Sequence, residues 1–370
     1  MEIATPFRPL LRADRLPILR SLLVLNILGL WAMFFSGQWD AAEHAKGAVD
    51  RFWYPPHYGI YFSLLVALIM SGIGLLLVLR GPGLPFEKLR ANAALTLLVA
   101  ANAINFSGAP FDAWWHTTFG LDLTVWSPPH LHIMAGATLS ALVCAVYFLD
   151  DEAHAAALRP LRWNGRHDVA FWSALLAGIL VSVFLVFEYE SNRLSREVLA
   201  RPIWTYPLLW PLLATCYCAL SVALTRRIGA ATVMGGLYVL ARLAIFGFDQ
   251  IVLDYNGGWF YPLIVPALAF DLTLWLGRRR EQGRSQGWLI AAAGLASAVV
   301  LCLTTPLFWS LLGGDGRLRV TPWISYWPLG LLGGVLGALL GWWIGMGLRR
   351  LRPCAQQAHP SVLRPAVEAP

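Results

Sequence analysis

Two copies of one ligand-like pattern stand about seventy residues apart in this chain. The first is Asp40-Ala-Ala-Glu-His44, then twelve residues, then His57, the last residue of Trp53-Tyr-Pro-Pro-His57. The second is Asp112-Ala-Trp-Trp-His116, then thirteen residues, then His130, the last residue of Trp126-Ser-Pro-Pro-His130. The chain has eight histidines, and these two units take four of them. Asp and His four residues apart on a helix lie one turn apart on the same face. Proline is accepted in the first helical turn, where its missing N–H would have no intrahelical partner. Pro55-Pro56 and Pro128-Pro129 should therefore open helices and set His57 and His130 in their first turns. The intervening residues are enough to fold back, so each unit can present one carboxylate and two imidazoles to one ion. That donor set suits copper, zinc or iron and leaves room for water, dioxygen or substrate. The spacing does not choose among the metals. The competing reading is a structural duplication whose histidines only hydrogen-bond at the membrane interface.

The elements that carry these residues are membrane spans. Of the 370 residues 58% are hydrophobic and 13% charged, the composition of an integral membrane protein. A spanning helix needs about 20 mainly apolar residues, and ten stretches qualify: roughly 16–36, 57–79, 90–107, 130–149, 169–187, 204–225, 229–251, 258–277, 287–311 and 325–348. The expected fold is all-α and polytopic. With both termini cytoplasmic, 20 of the 28 basic residues fall in inner segments and seven in outer loops, the asymmetry that orients inner-membrane proteins. Both units then face the periplasm. The net charge of +7 follows from this topology and does not imply nucleic-acid binding. The first apolar run is too long for a signal-peptide core and reads as an uncleaved span. The five cysteines lie in spans or in the tail, so no disulfide framework is expected. Cys216 and Cys218 read as small buried apolar residues.

Three parts are expected: a four-span half, 1–150, with the duplicated unit; a six-span half, 151–350; and a disordered cytoplasmic tail, 351–370. Phe111 to His116 reads as a short re-entrant or interfacial helix with Trp114 and Trp115 at headgroup depth. Glu43 and Asp122 are candidate acceptors for the imidazoles, and His132 a candidate extra ligand or neighbour. Arg242 lies in mid-span with Asp249 two turns on. They read as a structural ion pair or, alternatively, as part of a quinol or proton pathway. Glu188, Glu190, Arg193, Arg196 and Glu197 read as a solvated outer connector. His154 and His167 fall on the cytoplasmic side, and His359 stands alone in the tail.

At the two ligand sets the chain resembles the C subunit of the copper membrane monooxygenases, the group of particulate methane and ammonia monooxygenases. Asp40, His44 and His57 match the family's Asp-x3-His-x12-His copper site; Asp112, His116 and His130 match its Asn-x3-His-x13-His second site. The likeness covers roughly residues 16–150. It differs in carrying Asp112 where the family has Asn, and no soluble cupredoxin-like domain of the B-subunit kind is present. The resemblance implies copper as cofactor, dioxygen chemistry on a small apolar substrate arriving from the bilayer, and a quinol as electron source. It also implies assembly with further monooxygenase-like subunits or as a homo-oligomer. A non-enzymatic protein that binds, takes up or delivers copper or zinc is the alternative function.

Overall fold

The computed structural model describes residues 16–47, 52–80, 83–120, 127–149, 158–160, 169–191, 205–255, 261–278, 286–311 and 325–351. Among them are eleven helices: α1 Leu16–Ala45, α2 Pro55–Leu79, α3 Pro85–Ala91, α4 Ala93–Phe119, α5 Pro128–Tyr147, α6 Val169–Ser191, α7 Thr205–Thr225, α8 Ala230–Ile251, α9 Ile264–Gly277, α10 Gln286–Leu311 and α11 Trp327–Arg350. One two-residue parallel pairing, β1 Arg159–Pro160 with β2 Arg227–Ile228, ties two loops together. The protein is all-α, and eight of its helices are long and apolar enough to cross a membrane. Large apolar side chains such as Phe62, Leu76, Leu303 and Trp343 point outward, as expected of helices bathed in lipid.

Two of the ten expected spans are not among these eight. α6 runs 23 residues, Val169–Ser191, with Val169–Val183 as its described apolar stretch, and α9 has only 14 residues. At about 1.5 Å per residue, 14 residues reach roughly 21 Å, less than a hydrocarbon core of about 30 Å. Pro262 precedes α9, and hydropathy alone had extended the span back across it.

Two other helices run further than hydropathy suggests. α1 does not end near residue 36 but continues to Ala45, so Asp40 and His44 ride on the first span itself. α4 continues through Pro110 to Phe119, so Phe111–His116 is the end of a span and not a separate interfacial helix. The polar residues mark where the helix leaves the apolar layer, not where the helix stops. The cluster expected as an outer connector is also partly helical: Glu188 and Glu190 fall in the last turns of α6. Arg193, Arg196 and Glu197 lie outside the described residues.

The duplication is visible in the packing. In the first unit Gly29 approaches the carbonyl of Ser63, at 3.2 Å from where a Cβ would sit. In the second, Gly136 meets the backbone of Asn105 and Ala101, with 2.9 Å to the Ala101 carbonyl. Gly29 and Ala101 each precede the unit's Asp by eleven residues, and Ser63 and Gly136 each follow its last His by six. The same two positions make the close helix crossing in α1/α2 and in α4/α5, with glycine on opposite partners. Met33 and Asn105, each seven residues before its Asp, touch one another through Sδ and Nδ2 at 3.9 Å. Both ligand sets therefore lie at the same end of the bundle.

Buried amides hold this half together. Asn26 and Asn102 both donate to the Ala67 carbonyl, at 2.9 and 3.2 Å, and Ser140 donates to Asn102 Oδ1 at 2.8 Å. Four helices thus share one satisfied polar cluster, a means of association where lipid removes the hydrophobic drive between helices. In the other half, the glycines of α11 lie against carbonyls of α7: Gly333 on Leu208, Gly337 on Leu212, Gly341 on Cys216. Cys216 and Cys218 are buried there, as expected.

At Gly136 a methyl group would stand 2.7 Å from the Asn105 nitrogen, and backbone cannot move aside as a side chain can. Gly136→Ala should cost about 1–3 kcal/mol, whereas Gly72→Ala, with nothing within 4 Å, should be close to neutral. Thermal unfolding of the two detergent-solubilised variants compares them directly. Equal midpoints would show that the α4/α5 crossing is looser than described.

Candidate metal centres

The first centre joins the C-terminal end of α1 to the N-terminal turn of α2. Pro55 and Pro56 occupy the opening positions of α2 after an extended Tyr54, and this puts His57 in the first turn. Asp40 Oδ1 then lies 3.4 Å from His44 Nε2 and 3.2 Å from His57 Nε2. Each of the three residues offers an atom within 4.8 Å of the others, and among the described residues this is the group that meets that closeness.

His57 is the anchored member of this set. It is 5% exposed, its Nδ1 lies 3.3 Å from the Phe52 carbonyl, and Tyr61 Oη is 3.5 Å away. A carbonyl only accepts, so Nδ1 carries the proton and the neutral ring turns the lone pair of Nε2 towards Asp40. Metal-ligating histidines are commonly oriented this way. Asp40 Oδ1 is itself buried and accepts no hydrogen bond. An anionic oxygen and imidazole lone pairs facing one another at such distances repel unless a cation or a proton lies between them.

The turn between the helices is pinned from outside. Tyr54 donates its hydroxyl to Glu43 at 3.0 Å, and Glu43 lies 3.8 Å from Lys46 Nζ. Partial burial and the Glu43 carboxylate push the Tyr54 hydroxyl above its ordinary pKa, so it stays a donor. Glu43 thus holds the 52–55 turn through Tyr54, while the Phe52 carbonyl supplies the contact to the imidazole. Tyr54 and Tyr61 did not stand out in the sequence. Their signal was positional: three residues before and four after His57 put them on its face of the helix.

The second centre repeats the plan with a wider opening. Asp112 and His116 lie on α4, and Pro128-Pro129 open α5. His116 Nε2 and His130 Nε2 each stand 3.5 Å from Asp112 Oδ1. Asp112 is 5% exposed and its Oδ1 also accepts no hydrogen bond. The three ligand atoms do not close to the mutual distances of the first centre. The place of Tyr54 is taken by Ser127, so the aromatic clasp has no counterpart. His132 turns away: its Nε2 is 3.0 Å from Ser107 Oγ and its ring meets the edge of Phe111. Asp122 lies outside the described residues, as do His154, His167 and His359.

Both donor sets fit a divalent metal on chemical grounds. Each offers one anionic oxygen and two imidazole nitrogens, three protein donors with positions left over. Arg242 and Asp249 are both buried on one face of α8. Asp271, inside α9, is a further buried carboxylate: its Oδ2 accepts from the Thr232 amide and hydroxyl, each at 2.7 Å, capping the start of α8. An aspartate in an otherwise apolar run was signal enough to have found it. No protein-family model, curated protein or solved structure matches this chain.

Proposed function

We propose that this protein is a membrane copper protein that acts as a copper-dependent monooxygenase, or as a subunit of one, on a small apolar substrate. One observation carries the metal reading. The buried Asp40 Oδ1, without a hydrogen bond, faces the Nε2 atoms of His44 and His57 at 3.4 and 3.2 Å. A proton on one imidazole would relieve the repulsion for that pair alone, whereas a metal cation uses all three donors. The oxygenase reading rests on the ligand spacings shared with the copper membrane monooxygenases. When bound, copper would supply dioxygen binding and electron transfer. The chain's own contribution is to hold His57 by the Phe52 carbonyl, to bury Asp112 and the Oδ1 atom of Asp40, and to leave both centres where an apolar molecule can arrive from lipid. Zinc or iron would fit the same donors, and a quinol in the bilayer is the electron source that suits such a place.

The remaining topology belongs to the same proposal: ten crossings, with α6 crossing over its full 23 residues and α9 as a short crossing, both termini cytoplasmic, an inner membrane, and the two centres facing the periplasm. The supporting feature is charge. Arg20, Arg80, Lys88, Arg90, Arg159, Arg226, Arg227, Arg278, Arg349 and Arg350 belong to helix ends or loops of the end opposite the centres, while Lys46 is the described basic residue beside them. A cysteine at exposed Trp53 should react with an impermeant thiol reagent added to intact cells, and one at Arg159 only after lysis. The reverse pattern would overturn the orientation.

Delivery or uptake of copper or zinc is the second reading. It is favoured by the exposure of His44 and His130, whose side chains are 30% and 29% accessible, which suits exchange of an ion. Metal analysis and EPR of the purified protein decide first between metal and none; the expected result is two Cu(II) with nitrogen couplings. Metal-free protein that takes up no Cu(II), Zn(II) or Fe(II) on addition would sink both readings. Dioxygen-dependent hydroxylation of a short alkane by the copper-loaded protein with a reduced quinol would then separate oxygenase from carrier.

A further inference from the structure

We infer that Asp249 is a proton-exchanging carboxyl coupled to the Asp40 centre, open to the same end of the bundle and sealed from the other end by Arg242. The inference rests on the metal reading of that centre. Tyr238, Arg242, Ile245 and Asp249 form one buried face of α8. Asp249 is 2% exposed, and its Oδ1 accepts no hydrogen bond. A carboxyl at membrane depth defaults to a functional role, because its charge is costly there.

α1 and α8 run parallel beside the first centre, both rising toward it. Phe35 meets Phe248 with ring centroids 5.3 Å apart, and Lys46 donates to the Leu253 carbonyl. Asp40 lies between Phe35 and Lys46 on α1, and Asp249 lies between Phe248 and Leu253 on α8. At about 1.5 Å per residue Asp40 lies about 7.5 Å beyond the Phe35–Phe248 contact and Asp249 about 1.5 Å beyond it, so the two carboxylates are about one turn apart along neighbouring helices. Beyond Asp249 the chain reaches the surface within a turn, at Ile251, Val252 and Asp254, with Leu253 the one buried side chain left on the face of Asp249. Towards the opposite end the path meets Ile245 and then Arg242, whose fixed positive charge repels a proton, as arginines do in pores that exclude cations.

The charged and titratable groups around Asp249 can be named. α8 brings Arg242; α1 brings Lys46, Glu43 and the Asp40 set; α9 brings Tyr261 just ahead of its start and Asp271 midway along it. The outer turns of α7 that are described bring none, and α6 ends with Glu188 and Glu190, whose side chains are not described. Arriving metal adds positive charge at the Asp40 level, and a protonated Asp249 compensates by releasing H+ to water at that end. Were a reduced quinol to give the ion one electron, the lost charge would let Asp249 take a proton back from water. The proton goes from the Asp249 carboxyl to solvent and back, leaving carboxylate and then acid.

Infrared difference spectroscopy of the full chain, before and after Cu(II) addition, tests this. The wild-type spectrum should lose the carbonyl stretch of a protonated carboxyl, with a shift in D2O. Asp249→Asn should remove that band while Cu(II) stoichiometry stays unchanged, and Asp249→Glu should move it without abolishing it. In calorimetry across buffers of different ionisation enthalpy, Asp249→Asn should release about one proton fewer per copper bound. If Asp249→Asn does not fold, the band shift in Asp249→Glu carries the test alone. Copper binding with no carboxyl band, or with a band untouched by either variant, overturns this inference and leaves the metal reading standing. No copper binding at all removes both.

Discussion

His57→Ala is expected to empty the first centre, whereas His44→Ala should only weaken it. The two histidines are unequal in the structure. His57 is 5% exposed, bound through Nδ1 to the Phe52 carbonyl and flanked by Tyr61, and its Nε2 is the nearer to Asp40. His44 stands on the last turn of α1 with 30% of its side chain accessible, so water can take its place on the metal. Removing an outer partner of a metal-binding histidine typically costs about 10–100-fold in affinity, and losing the buried ligand itself should exceed that. His57→Ala also leaves the Asp40 carboxylate buried against an apolar gap, which the metal cannot compensate alone. Copper content of the purified variants is the measurement. His57→Ala should lose one equivalent, His44→Ala should retain most of it at saturating copper, and the pair His116→Ala/His130→Ala should lose the other equivalent independently. Unchanged stoichiometry in His57→Ala and in the pair His116→Ala/His130→Ala would end the metal reading. Equal losses in His44→Ala and His57→Ala would show that the asymmetry of exposure has no bearing on binding.

The legible and illegible parts of this chain divide along a physical line. Helical class and most span positions follow from apolar length, because a helix in lipid must satisfy its backbone internally. The spacings of the two ligand sets were legible for the same local reason. One helical turn fixes Asp40 to His44 and Asp112 to His116, and a proline pair fixes where α2 and α5 begin. The ends of α1 and α4 were not legible, since hydropathy reports where the apolar layer stops and says nothing of a helix continuing as Gln38-Trp39-Asp40 or through Pro110. The shortness of α9 was missed because one proline, Pro262, barely lowers the mean hydropathy of a segment as apolar as this one. The difference between the centres was out of reach as well. It depends on Tyr54, which occupies a position where the second unit has Ser127, and a motif written Trp-x-Pro-Pro-His hides that position in its x. Contacts between units are the hardest to foresee. That Met33 should meet Asn105, or that Asn26, Asn102 and Ser140 should share one cluster, depends on how four helices cross. That crossing is set by Gly29 and Gly136, which look unremarkable in a run of alanine, leucine and glycine.

Asp112→Asn should raise the reduction potential of the second centre and loosen its hold on Cu(II), with no effect at the first. Asp112 is 5% exposed, lies 3.5 Å from both imidazole Nε2 atoms and accepts no hydrogen bond through Oδ1. Its charge is therefore neither spread over donors nor well screened by water. A unit charge acting at about 4 Å through an effective dielectric of about 20 is worth about 4 kcal/mol. Part of that acts differentially on Cu(II) and Cu(I), so the expected rise for a one-electron couple is on the order of 100 mV. The sign follows from charge alone: an anionic donor favours the more positive ion, and a neutral amide of the same shape gives that preference up. Asp40→Asn should do the same at the first centre only. There the smaller opening and the clasp of Tyr54 on Glu43 should keep the metal bound despite the lost charge. At the wider second centre, the same change should lower Cu(II) occupancy as well. Potentiometric titration followed by EPR resolves the two centres by their separate midpoints. If Asp112→Asn leaves both midpoints and the copper spectrum where they were, Asp112 is not a ligand, and the second centre reduces to His116 and His130 facing a carboxylate that serves only the packing of α4 on α5.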